Sequence, residues 1–268
     1  AEAARAVSAF CSREKTTIPV LLEIDVDGHR SGIRPDGAEL LPAAAALADG
    51  AELVGVLTHA GDSYECKTTA EIEAAAEAER AGIVLAAERL RAAGHTVKIV
   101  SAGSTPTLMF AKDETGVTEM RAGVCALFDL FMSNVGACTV DDIAGSVLAT
   151  VIGRQVDKRR VILDCGFLAL SRDRGTARQA HDYGYGLVCG LDGKPLADGT
   201  IVLTGTNQEH GILTLPENSP LTQEDFSIGR RLRILPNHAC PTAAPYGSLV
   251  LIENGRVAEV LDHVRGWD

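Results

Sequence analysis

Short apolar runs and longer amphipathic stretches alternate along the first half of the chain. Ile18 to Val26 (IPVLLEIDV) is rich in β-branched and aliphatic residues and stops at Asp27-Gly28. Leu53 to Leu57, Val97 to Val100 and Val117 to Met120 repeat the plan, ending at Thr58-His59, Ser101-Ala102-Gly103 and Arg121-Ala122-Gly123. Runs this short, bounded by turn residues, read as buried strands. The chain opens on a small-residue amphipathic stretch, and Ala38 to Ala48 is Leu/Ala-rich up to Gly50. Thr69 to Ala93 is dense in Ala, Glu, Arg and Leu up to Gly94. These read as helices, the last two closed by glycine stops. Such alternation implies parallel strands joined by crossover helices. Each strand ends in a polar or glycine-bearing loop, the place where α/β folds put function.

From about Asp142 the pattern changes. Ser146 to Ile152, Arg160 to Leu163, Gly186 to Val188, Ile201 to Leu203, Arg231 to Leu235 and Ser248 to Ile252 are short strand-like runs. Gly, Pro, Asn and Asp separate them and no long helix intervenes, which is the signature of an all-β domain. The expected fold class is therefore α/β plus all-β: parallel strands with crossover helices in residues 1–135, then a β-rich domain in residues 136–268.

Composition narrows the function classes. With 268 residues and 46% hydrophobic content, the chain can bury one large core or two modest ones. A net charge of −11 argues against nucleic acid or an anionic membrane as partner. No apolar stretch is long enough to span a bilayer, and the first ten residues lack the basic and apolar regions of a secretory signal. The seven cysteines are scattered, odd in number and without a CxxC pair. That distribution suits a reducing compartment, and a cytoplasmic protein is expected. Six of them read as small buried apolar residues; Cys240 stands apart.

Three constellations carry candidate chemistry. Gly103-Ser104-Thr105-Pro106-Thr107 follows a strand and precedes a helix, so it is either an N-capped turn or an anion site. It matches neither nucleotide-binding glycine pattern. If the four strands are the last four of a barrel, this loop and Gly123 follow strands 7 and 8, where barrels hold phosphate. His238 and Cys240 lie two apart after the run RLRIL, a spacing that lets imidazole and thiolate converge on one zinc ion. A buried histidine beside a buried cysteine explains the same pattern. Asn207-Gln208-Glu209-His210-Gly211 offers Glu209 and His210 as proton carriers, or merely a capped turn. Arg30, His59 and Tyr64, beyond the first two strands, can hydrogen-bond and stack on a flat aromatic cofactor.

Taken in order, LLEIDVDGHRSGIRP, GVLTHAGDSY, VSAGSTPT, TEMRAGVCALFDL, SVLATVIGR, ILDCGFLALSRDRG, TNQEHGIL and ILPNHACPTA resemble the D-serine dehydratase/D-threonine aldolase family, whose barrel is like that of alanine racemase. The resemblance spans almost the whole chain and implies the C-terminal half of a pyridoxal-phosphate-binding (β/α)8 barrel in residues 1–135, followed by the β-rich domain of residues 136–268 carrying the metal site. It implies pyridoxal 5'-phosphate at the barrel mouth and a divalent metal on the β-domain, zinc first and manganese second. Arg30 would approach the cofactor's phenolic oxygen, His59 would pack on its ring and Tyr64 would lie beside it. Gly103, Ser104 and Thr105 would take the phosphate, and His238 and Cys240 the metal.

The His-x-Cys form resembles the dehydratases, which act on a D-3-hydroxy amino acid such as D-serine or D-3-hydroxyaspartate and release a 2-keto acid and ammonia. The related aldolases tend toward His-x-Asp. The alternatives are a metal-dependent aldolase of the D-threonine type, or a non-catalytic metal- or phosphate-binding module. The resemblance also implies a homodimer. Two departures stand out. Cys125 replaces a frequent tyrosine, and none of Lys15, Lys67, Lys98, Lys112, Lys158 and Lys194 has the His-x-Lys-Thr-like context of the family's cofactor lysine. A complete barrel needs about 250 residues, and half a barrel would leave open sheet edges. The lysine and the first four strands are thus expected from an upstream segment or another chain.

Overall fold

The computed structural model describes residues 1–264. The chain divides into two compact units, Ala1–Gly123 and Val124–Asp268.

The first unit is a four-stranded parallel sheet in the order β1-β2-β3-β4, with β1 at Ile18–Ile24, β2 at Ala51–Thr58, β3 at Ile99–Ala102 and β4 at Glu119–Met120. Helices α1 (Glu2–Glu14), α2 (Leu40–Ala45), α3 (Thr69–Ala92) and α4 (Thr105–Phe110) alternate with the strands. All four predicted strands and the long helix are present. α3 starts where Thr68 and Glu71 close a capping box, satisfying N–H groups that the first turn leaves open. It ends before Gly94, whose φ of +90° suits the turn out of a helix. Its buried stripe runs Ile72, Ala76, Glu79, Ile83, Ala86, Ala87 and Leu90, the spacing of one helical face. Ile83 and Leu90 pack with Val56 of β2 and Val100 of β3 in the unit's core. Gly55 is needed where β2 meets β3, because a Cβ there would stand 2.1 Å from the Ile99 carbonyl oxygen.

In the second unit, β5 (Val147–Gln155), β6 (Arg160–Leu163), β7 (Leu187–Cys189), β8 (Gly205–Thr206), β9 (Gly211–Thr214) and β10 (Arg231–Leu235) form an antiparallel sheet in the order β7-β10-β5-β6-β9-β8. β11 (Ser248–Glu253) and β12 (Arg256–Asp262) make a separate hairpin. Helices α5 (Leu130–Val135) and α6 (Ala239–Ala243) are single short turns of chain, as the absence of a long helical pattern implied. Alternate residues of β5, β6 and β10 point into a core with the fully buried Phe226. The run Ile201 to Leu203 differs from expectation. Val202 and Leu203 make only isolated bridges, to Leu187 and Gly184, while β9 supplies the ladder partner of β6.

The division at Gly123 also lies earlier than the sequence boundary of 135/136. The segment around α5 binds within the second unit: Leu130 and Phe131 donate to the carbonyls of Pro236 and Asn237 at 3.1 Å. Asp129 accepts from the Ala239 N–H at 2.8 Å.

Candidate functional site

The C-terminal ends of the parallel strands gather most of the residues singled out from sequence. His59 leaves β2 and Tyr64 closes the 3-10 turn Gly61–Tyr64, so their rings lie 5.8 Å apart at 31°. The chain beyond β1 folds back on itself, the Asp25 N–H donating to the Ile33 carbonyl and the Ile33 N–H to the Glu23 carbonyl, and carries the exposed Arg30. Burial lowers the His59 pKa below its ordinary value, and the cations of Arg30 and Arg121 lower it further. The ring is therefore kept neutral. Its Nε2 is buried and has no hydrogen-bond partner among the described residues, a polar atom that the fold leaves for something else.

After β3, Gly103 adopts φ +108°, and a Cβ there would meet the Arg121 nitrogen at 3.0 Å. Ser104 caps α4: its Oγ accepts from the Thr107 N–H at 3.3 Å, and its N–H donates to Thr107 Oγ1 at 2.8 Å. Ser104 and Thr105 are buried. The turn is thus an N-capped helix start, with the Ser104 hydroxyl turned inward. Gly123 lies exposed beyond β4.

Two residues here escaped the sequence reading. Arg121 reaches back from β4 to donate to Ser101 Oγ at 2.6 Å and to the Thr58 carbonyl, so its cation sits across the ends of β2 and β3. Glu79 is a carboxylate on the apolar stripe of α3, and that misplaced charge was the signal available in the sequence.

In the second unit, β10 delivers Pro236 to Cys240. The Nδ1 of His238 bonds Asp173 Oδ2 at 3.0 Å, and the ring also hydrogen-bonds the Cys240 thiol. The two side chains therefore meet, but not through the extended segment expected from the sequence: His238 is the N-cap of α6 and Cys240 lies in its first turn. The Asp173 carboxylate, then the thiol, raise the His238 pKa to about 10, and the same bond lowers that of Asp173. Asp173 is itself held: its Oδ1 accepts from the Gly175 N–H at 2.6 Å. Buried Asn237 donates to the Asp173 and Gly184 carbonyls and faces the Thr176 hydroxyl. Asp129, also buried, caps α5 through the Met132 N–H and steadies the start of α6 through Ala239. Nothing in the sequence marked Asp173, which is 65 residues from His238.

Glu209 and His210 do not join this cluster. Both are exposed in the tight connection between β8 and β9, where Asn207 donates to the His210 carbonyl at 2.8 Å. Among the described residues no hydrogen bond or ion pair links either to His238 or Cys240. No third metal-ligating side chain joins His238 and Cys240 among the described residues.

Comparison with known proteins places this arrangement. The alanine racemase N-terminal domain matches residues 1–130, and the serine dehydratase domain matches residues 144–252. D-threo-3-hydroxyaspartate dehydratase of Delftia sp. is 50% identical over 99% of this chain, which covers 70% of that protein. D-serine dehydratase of Dictyostelium discoideum is 29% identical over 88% of this chain, which spans 61% of that protein.

The solved Delftia structure superposes with a TM-score of 0.92 at 50% identity, covering 99% of this chain and 71% of that one. Other solved forms of that enzyme replace a cysteine by alanine, in a metal-free form, or a histidine by alanine, at positions two residues apart. The chain belongs to the D-serine dehydratase family, in which an alanine-racemase-type N-terminal domain precedes a serine dehydratase domain.

Proposed function

We propose that this chain is the larger part of a pyridoxal-phosphate- and zinc-dependent dehydratase. Its substrate is a small D-3-hydroxy amino acid such as D-threo-3-hydroxyaspartate or D-serine, and the products are a 2-keto acid and ammonia. The observation that carries the reading is the His238–Cys240 pair with its Asp173 support. The same residue types at the same spacing have been replaced in the Delftia dehydratase, once giving a metal-free form.

The residues present fit both groups. His59 offers a neutral flat ring and an unpartnered Nε2 for an aromatic cofactor, with Tyr64 beside it and the cations of Arg30 and Arg121 close by. Gly103 lets the backbone turn close to an anion, and Gly123 is open beyond β4. Ser104 and Thr105 serve such a site by shaping the turn. Bound pyridoxal phosphate supplies an electron sink at the substrate α-carbon. The cofactor-bearing lysine is assigned to the part of the relatives' length that this chain does not span, and the working form is taken to be a homodimer.

His238 and Cys240 are donors that zinc favours, and two protein ligands leave positions open. A bound metal supplies Lewis-acid polarisation of the substrate β-hydroxyl; manganese is the alternative ion. Asp173 fixes the ring of His238 so that Nε2 faces away from the carboxylate. Glu209 and His210, exposed and without a hydrogen bond or ion pair to His238 or Cys240 among the described residues, have no assigned part in the chemistry. No helix among the described residues is long and apolar enough to cross a membrane.

Product analysis of the full-length protein tests the reading. D-serine and D-threo-3-hydroxyaspartate should each yield ammonia and a 2-keto acid in equal amounts. Glycine and an aldehyde from D-threonine, with no ammonia from either substrate, would establish an aldolase instead.

A further inference from the structure

A chain of hydrogen bonds lies beneath the ends of β2 and β3. The Ala60 N–H donates to Glu79 Oε1 at 2.7 Å. The Ser63 hydroxyl donates to the Ala60 carbonyl at 2.8 Å and lies 3.2 Å from Ser104 Oγ. With the Ser63 proton committed to Ala60, the Ser104 hydroxyl donates across that second contact. Ser104 Oγ accepts from the Thr107 N–H at 3.3 Å, and the Thr107 hydroxyl lies 3.4 Å from the Ser104 carbonyl and faces Glu79. The Gly103 N–H is a further donor to the same carboxylate. Glu79, Ala60, Ser63, Ser104 and Thr107 are all buried. The Glu79 carboxylate accepts from the Ala60 N–H and faces the Gly103 N–H and the Thr107 hydroxyl.

We infer that Glu79 is a positioning residue that ties the His59–Ala60 loop to the Gly103–Ser104 turn, setting the spacing between the segment that would meet the cofactor ring and the turn that would meet its phosphate. The inference rests on the pyridoxal-phosphate reading of this end of the sheet. A carboxylate is required because every group facing it is a donor. A glutamine would keep one acceptor oxygen and turn an amide NH2 toward N–H and O–H groups. That leaves buried donors unsatisfied, a cost that in a tightly packed site is not relieved by water. The residues that touch this chain of bonds, His59 and Gly103, are those whose placement matters, since the Gly103 backbone also bonds the His59 ring.

Equilibrium binding of pyridoxal 5'-phosphate and of phosphate-free pyridoxal to the full-length protein tests this, followed by cofactor absorbance. Wild type should prefer the phosphorylated form. Glu79→Gln should weaken pyridoxal 5'-phosphate by about five- to 150-fold, the range of a buried unsatisfied group. Pyridoxal should change far less, so the preference falls. An equal loss for both ligands, or no loss, overturns the positioning role while leaving the cofactor reading intact. A wild-type protein without any phosphate preference overturns the cofactor reading and the inference with it. Should Glu79→Gln not fold, Thr107→Val and Thr107→Ser carry the same test. Removing the hydroxyl should reduce the preference and retaining it should restore it; identical behaviour of the two overturns the inference.

Discussion

Removing the Asp173 carboxylate should loosen the metal without disturbing the ligands themselves. Asp173 bonds the Nδ1 of His238 at 3.0 Å, and the Gly175 N–H holds its other oxygen at 2.6 Å, so the acceptor is oriented before any metal arrives. Partners of this kind fix the ring and raise its basicity, and losing one typically costs about 10- to 100-fold in metal affinity. The side chains of His238 and Asp173 are 39% and 28% exposed. Water can replace part of the lost bond, which places Asp173→Ala toward the lower end, about tenfold. Asp173→Asn keeps an oxygen that can accept from Nδ1–H but loses the charge, so it should fall between wild type and alanine. The assay is competition for zinc between the full-length apoprotein and a chromophoric chelator at fixed pH, with pyridoxal-phosphate binding measured in parallel. A zinc Kd for Asp173→Ala within twofold of wild type would refute the supporting role. An equal loss of cofactor binding would show that the substitution had disturbed more than the metal pair.

Three further outcomes are expected. Cys240→Ala should reduce bound zinc per chain to near zero after dialysis, measured by elemental analysis, and abolish keto-acid formation. Zinc retention at the wild-type level would remove Cys240 from the ligand set. Phe226→Ala empties a fully buried position in the β-domain core, so chemical denaturation should show a loss of about 3–5 kcal/mol. A change below 1 kcal/mol would mean that the core closes over the cavity. Burial lowers the His59 pKa from 6.5. As pH falls through 6.5, the unfolded chain takes up a proton that the folded ring declines, so stability falls toward lower pH. The His59→Gln variant should show a shallower decline of Tm between pH 7 and 5 than wild type, and an identical slope would contradict the neutral-ring assignment.

The strands and the long helix were legible because their determinants are local. IPVLLEIDV and VKIV are apolar runs closed by turn residues, and α3 carries its capping box and terminal glycine within its own sequence. The His-x-Cys pattern was visible in the sequence, but the extended segment expected to join it is instead the start of α6, with His238 as N-cap and Cys240 in the first turn. Tertiary structure decided what those groups lean on. Asp173 meets His238 across 65 positions of sequence, and Asp129 meets Ala239 across 110.

Burial decided the rest. Ser104 reads equally as an anion ligand or a cap until its hydroxyl is seen turned toward Ser63 and Thr107. Glu209 and His210 have the right chemistry for proton transfer, but the β8–β9 connection leaves them exposed, with no hydrogen bond or ion pair to His238 or Cys240 among the described residues. Periodicity follows from the geometry of a single element, so sequence determines it. Which polar groups lose their water depends on how distant elements pack, and only the fold sets that.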